Sequence, residues 1–125
     1  MTPISSSIAV PNALIVIIDA ESKIQVPQWE IGSLVACTDS CVVVACRPDV
    51  DGETELTLGR AADVDPGRRP IFEGELATPS RRITVGTVFG DTALETVVPS
   101  LRTRIAVWAN SAAEPDNIVI GLVGV

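Results

Sequence analysis

Leu101-Arg102-Thr103-Arg104-Ile105-Ala106-Val107-Trp108-Ala109 decides the fold class. Leu101, Thr103, Ile105 and Val107 fall on one face, and Arg102 and Arg104 on the other. That period of two belongs to a half-buried β-strand. Glu53–Gly59 repeats it, with Glu55 and Thr57 alternating against Leu56 and Leu58. No stretch of comparable length keeps the apolar spacing of a helix. Val, Ile and Thr number 17, 12 and 10 of the 125 residues, and β-branched side chains suit a pleated surface better than a helix.

Working outward, nine Pro and nine Gly punctuate the chain at short intervals. Ala13–Asp19, Ser33–Cys37, Cys41–Arg47, Ile71–Thr78, Arg82–Phe89, Ala93–Val98 and Asn117–Val125 read as further strands. Ser22–Val26 reads as a short one. Pro27–Glu30 reads as a corner, since proline cannot serve a central ladder. Ala61–Pro70 is the longest predicted loop. The expectation is an all-β protein, an antiparallel β-sandwich or jelly roll of about eight to nine short strands. Residues 1–125 are expected to form one domain, with 1–12 as a loose N-terminal arm.

Three segments break the half-buried pattern. Leu14–Ile18, Val42–Val44 and Ile118–Ile120 are apolar at consecutive positions, hence on both faces of their strands. A two-layer sandwich leaves one face of each sheet in water, so something must cover the other. A loop could do so, or a second copy of the chain. A homo-oligomer is the expectation drawn from this.

Charge narrows the partners. Sixteen acids against nine bases give −7, and residues 1–79 hold twelve of the acids with five bases. A phosphate backbone needs a basic stripe, so a nucleic-acid partner is not expected. No apolar run approaches the ~18 residues of a membrane-spanning helix, and no membrane partner is expected. An acidic surface suits a basic protein partner, because complementary fields speed encounter and set orientation. The candidate acids are Asp49, Asp51, Glu53, Glu55, Asp63 and Asp65. Trp29 and Glu30, at the Pro27 corner, complete the predicted contact residues, since a buried Trp dominates many interfaces.

Catalysis is not expected. The chain has no His, which removes the usual base near neutral pH. Its nine Ser carry no nucleophile-elbow pattern, and no glycine-rich phosphate loop is present. Glu73 and Glu75 share one strand face, where exposed pairing with Arg102, Arg104, Arg81 or Arg82 is expected rather than acid–base work. Asp49, Asp51 and Glu53 have the density of a calcium loop without its remaining spacing, and read as a solvated turn. Cys37, Cys41 and Cys46 lack the spacing and partners of a zinc site. No metal and no cofactor is expected. Cys37 and Cys41 flank a predicted turn and could face each other across it. With an odd count and no cationic leader before the first apolar run, the expectation is a cytoplasmic protein with reduced, mostly buried thiols.

The order of features resembles the competence protein J-like family, small bacterial β-sandwich proteins whose founding member inhibits a DNA-entry nuclease. The resemblance runs along about 95 residues. It lies in Ala13–Asp19, Pro27–Glu30, Cys41–Arg47, Gly52–Leu58, Pro70–Ala77, Ile83–Val88 and Glu95–Pro99 before Leu101–Trp108. It departs after Pro99, where the family tends to show a Gly and a Tyr and this chain has Leu101, Arg102 and Thr103, and in adding a last strand, Asn117–Val125. What the resemblance implies is a non-enzymatic binding module, an acidic inhibitor or immunity-type protein that masks a basic partner such as a nuclease. The alternative expectation is a structural subunit of a homo-oligomeric assembly.

Overall fold

Alternating side chains build two five-stranded sheets that close on one another in the computed structural model, which describes all 125 residues. The strands are β1 (Ile4–Ile8), β2 (Leu14–Asp19), β3 (Val35–Cys37), β4 (Cys41–Ala45), β5 (Thr54–Arg60), β6 (Phe72–Ala77), β7 (Arg82–Thr87), β8 (Thr92–Val97), β9 (Arg102–Ala109) and β10 (Asn117–Val123). One sheet has the order β1-β5-β10-β9-β6 and the other β3-β4-β2-β7-β8. The protein is an all-β sandwich.

The inward faces supply the core. Ile15 and Ile17 of β2, Val42 and Val44 of β4, and Ile83 and Val85 of β7 meet Leu56 and Leu58 of β5, Ile105 and Val107 of β9, and Ile118, Ile120 and Leu122 of β10. All are essentially inaccessible to water. Each is worth roughly 1.5–3 kcal/mol against an exposed position.

The outer apolar faces are covered from within the chain. Val16, Ile18, Cys41 and Val43 form a second cluster on the far side of β2 and β4, and Ile24 and Trp29 of the 20–34 segment pack on it. On the other sheet, the helical turn α1 (Ala61–Val64) lies so close to β10 that a Cβ at Gly121 would sit 3.0 Å from Ala61 Cα. Trp108 is buried beside it and donates its Nε1–H to the Arg68 carbonyl at 2.8 Å. The β2 and β4 faces that suggested a second copy thus have their cover already, while on β10 α1 covers Gly121 and Val119 stays half-buried.

Several boundaries differ from expectation. Residues 1–12 are not a loose arm: Ile4–Ile8 pairs antiparallel with β5 from Ile4 opposite Leu58 to Ile8 opposite Thr54. Its three serines hid an inward Ile4 and Ile8. Ser22–Val26 is not a strand, because β4 and β7 already occupy both edges of β2. Ala61–Pro70 contains the α1 turn. The ladder is not wholly antiparallel, since β10 runs parallel to β5. With Ser22–Val26 set aside, nine of the expected strands form, and β1 brings the count to ten.

Candidate functional site

Strand register gathers four loops at one end of the sandwich. Leu14 opens β2 opposite Ala45, the last residue of β4, and Ile15 lies opposite Thr87, the last of β7. Val35, which opens β3, lies opposite Val44. In the other sheet, Asn117 opens β10 opposite Glu55, and Ile118 lies opposite Ala109 at the end of β9. The loops 30–34, 46–53, 88–91 and 110–116 therefore share one rim. Backbone bonds tie it within each sheet, Cys46 N–H to Ala13 O (2.9 Å) and Glu55 N–H to Asp116 O (2.8 Å), and across the layers, Arg47 N–H to Pro115 O (2.9 Å).

Of the predicted contact residues, this rim brings together Glu30, Asp49, Asp51, Glu53 and Glu55. Asp49–Asp51 is a single 3-10 turn after Pro48, closed by Asp51 N–H to Pro48 O at 3.0 Å and Gly52 N–H to Asp49 O at 3.2 Å. All five carboxylates are exposed. Asp91, Glu114 and Asp116 join them, residues that sequence reasoning missed because they lie in the charge-balanced last third of the chain. Only chain topology places them on the same rim as Asp49; an excess of acids along the sequence carries no such signal.

Few bases answer these acids. Arg47 Nη2 stands 3.8 Å from Asp116 Oδ2, and Arg68 is turned to the Ala109 carbonyl at 3.2 Å with Arg69 beside it in sequence. Eight carboxylates and three arginines thus stand at or beside the rim, which carries most of the net −7. The rest of the molecule is closer to neutral and more thoroughly paired. Arg102 bridges Glu75 at 3.0 Å and Asp39 at 3.4 Å, the exposed pairing expected for that strand face, and these carboxylates push its guanidinium pKa up. Arg82 pairs with Glu95.

Asp63 and Asp65 are not part of the rim. Asp63 follows β5, whose seven residues carry the chain about 20 Å from the Asp49 turn, and Asp65 begins the return toward Arg68. Asp63 is held by Arg60 at 2.9 Å, and Asp65 accepts the N–H of Gly67 at 2.7 Å. Trp29 is half-buried, facing inward, with Nε1–H donated to the Ser33 carbonyl at 2.9 Å. It fastens its own loop.

Three surface hollows, of about 200, 420 and 520 Å3, each contain a single carboxylate: Asp91 in the first two and Glu30 in the third. None opposes two acids across a cleft. The cysteines are all free. Cys37 is exposed and lies opposite Val42, so it does not face Cys41 across the turn. Burial pushes the Cys41 and Cys46 thiols up from the ordinary range, which keeps them protonated and unreactive. No helix is long and apolar enough to cross a membrane.

No family model matches the chain, and no curated protein matches it. Two solved structures do. The crystal structure of ComJ, inhibitor of the DNA degrading activity of NucA, from Bacillus subtilis, superposes with a TM-score of 0.72 over 100% of this chain and 96% of that one, at 13% identity. The structure described as crocagin biosynthetic gene J superposes with a TM-score of 0.54 over 98% of each chain, at 15% identity. At such identities the likeness speaks for architecture. From its first strand to its last, this chain has the ComJ fold.

Proposed function

We propose that this chain is a non-enzymatic binding module whose acidic rim masks a basic protein, in the manner of an inhibitor, with a DNA-degrading nuclease as the first partner to test. The observation that carries the reading is the convergence of carboxylates from four separate loops on one end of the sandwich. Repulsion among them disfavours such a gathering unless a cationic surface answers it. Carboxylates gathered on one face can stand where a nucleic acid's phosphates would, on the basic surface of an enzyme that handles DNA.

ComJ supports the choice of partner, since an inhibitor of a nuclease shares this architecture. The second neighbour carries a biosynthetic name on the same architecture. Architecture alone therefore names no partner, and the rim has to.

The test is inhibition of DNA degradation by NucA, titrated with this chain at low and high salt. Inhibition that weakens steeply with salt is the expected result. Degradation that is equally fast with and without a molar excess of the chain would rule out this nuclease. Asp49→Asn/Asp51→Asn/Glu53→Gln is expected to inhibit at least about tenfold less well.

A further inference from the structure

The same rim holds the three most exposed large apolar side chains of the protein. Ile31 is 105% exposed, Val50 88% and Phe89 71%. One such residue is ordinary on any surface. Here each sits at the tip of a different loop, and each has an acid at its side in the chain: Glu30 before Ile31, Asp49 and Asp51 around Val50, Asp91 two residues after Phe89.

The tips are held out by structure. Ile31 occupies a turn closed by Ser33 N–H to Glu30 O at 3.2 Å, with Gly32 at φ +85° where a side chain would be strained. Trp29, packed on the Val16–Ile18 cluster, anchors that turn from below. Val50 rides the 3-10 turn after Pro48. Phe89 donates its N–H to Thr87 Oγ1 at 3.3 Å, and Gly90 N–H reaches Thr87 O at 3.1 Å. Backbone already fixed in these turns loses little further freedom on association.

We infer that Ile31, Val50 and Phe89 are the anchors of the contact and the rim acids its steering field, so that the partner is a protein presenting apolar sockets within a basic surface. This rests on the reading of the acidic rim as a contact surface. It adds a division of labour: the acids set how fast the partner arrives, and the apolar tips set how long it stays. The charge of the rim argues against nucleic acid, an anionic membrane and a second acidic copy as occupants.

The experiment follows binding kinetics with the immobilised full chain and NucA in solution, at low and high salt. Ile31→Ser/Val50→Ser/Phe89→Ser is expected to dissociate at least about 100-fold faster while associating within about twofold of the wild type. Asp49→Asn/Asp51→Asn/Glu53→Gln is expected to do the reverse, slowing association and leaving dissociation within about threefold. All three substituted apolar positions are exposed, so an unchanged melting curve controls for folding. A serine variant that dissociates like the wild type overturns the inference while leaving nuclease inhibition standing.

If the wild type does not bind NucA, that partner fails, and the same three proteins are used to retrieve partners from the producing cells. A stoichiometric basic protein kept by the wild type and lost from the serine variant then sustains the inference. No such protein, or one kept by both, overturns it. So does light scattering that shows a wild-type dimer converted to a monomer by the serine substitutions, because the tips would then serve a second copy.

Discussion

The Asp19 carboxylate, wholly buried at the end of β2, accepts both the backbone N–H of Ser80 at 3.0 Å and its hydroxyl at 2.8 Å. Its other oxygen accepts Glu21 N–H at 3.1 Å. One side chain thus joins the start of the covering 20–34 segment to the turn between β6 and β7, 61 residues away in sequence. Asp19→Ala is expected to cost about 2–4 kcal/mol, since three donors at a part-buried site lose their shared acceptor. Ser80→Ala, which keeps the backbone donor, is expected to cost about 1 kcal/mol. Urea unfolding of the two variants measures both. Equal and negligible losses would mean that Asp19 does not fasten the segment.

Gly86 lies at the bulge between β7 and β8, where a Cβ would overlap the Asp91 carbonyl oxygen. Backbone cannot yield as a flexible side chain can. Gly86→Ala is expected to destabilise by more than about 2 kcal/mol and to disturb the hairpin that carries Phe89 and Asp91. Thermal melting reads the first effect, and amide exchange over residues 87–92 reads the second.

Gly121→Ala probes the cover on the other sheet. Its Cβ would meet Trp108 Cζ3 at 2.8 Å and Ala61 Cβ at 3.1 Å. A loss of about 1–3 kcal/mol is expected, with Trp108 becoming more accessible. Tryptophan fluorescence shifted to longer wavelength, together with a lowered midpoint, is the expected readout.

The thiols give the pH dependence. Cys41 and Cys46 have folded pKa values raised by burial. The unfolded chain therefore releases these protons at a lower pH than the folded one. Their contribution to stability is whole below the ordinary thiol range, about 8.5, and is lost progressively as pH rises from there through the raised folded values. Denaturant midpoints are expected to fall above about pH 9, and less so in Cys41→Ala/Cys46→Ala. A thiol reagent near neutral pH is expected to label Cys37 rapidly and the other two only on unfolding.

Neutralising the rim tests its separation from folding. Asp49, Asp51 and Glu53 are exposed, and no ion pair holds them. Asp49→Asn/Asp51→Asn/Glu53→Gln is expected to change stability by no more than about 0.5 kcal/mol, or to raise it slightly as repulsion falls. A large loss would make these acids structural.

The alternation in Leu101–Ala109 and Glu53–Gly59 was enough to read β9 and β5, because one face of each strand is buried and the other is wet. Asn117–Val125 was readable as a strand but not as a parallel neighbour of β5: pairing direction leaves no trace in the pattern of apolar residues. Ile4–Ile8 was missed because edge strands need only one small apolar row, and serines supply the rest. The acids at 49–55 were legible as a cluster because they are close in sequence. Asp91, Glu114 and Asp116 were not, since nothing in the chain marks them as neighbours of Asp49.

Composition and periodicity by themselves determined that this protein is built of strands, acidic and without the side chains of common catalysis, because those properties are local or additive. Only the tertiary structure decided which loops meet, that α1 and the 20–34 segment pack on the two outer faces, and that Ile31, Val50 and Phe89 stand among the rim acids. Those are long-range relations. They depend on how sheets pair and close, and on hydrogen bonds between residues that the chain keeps far apart.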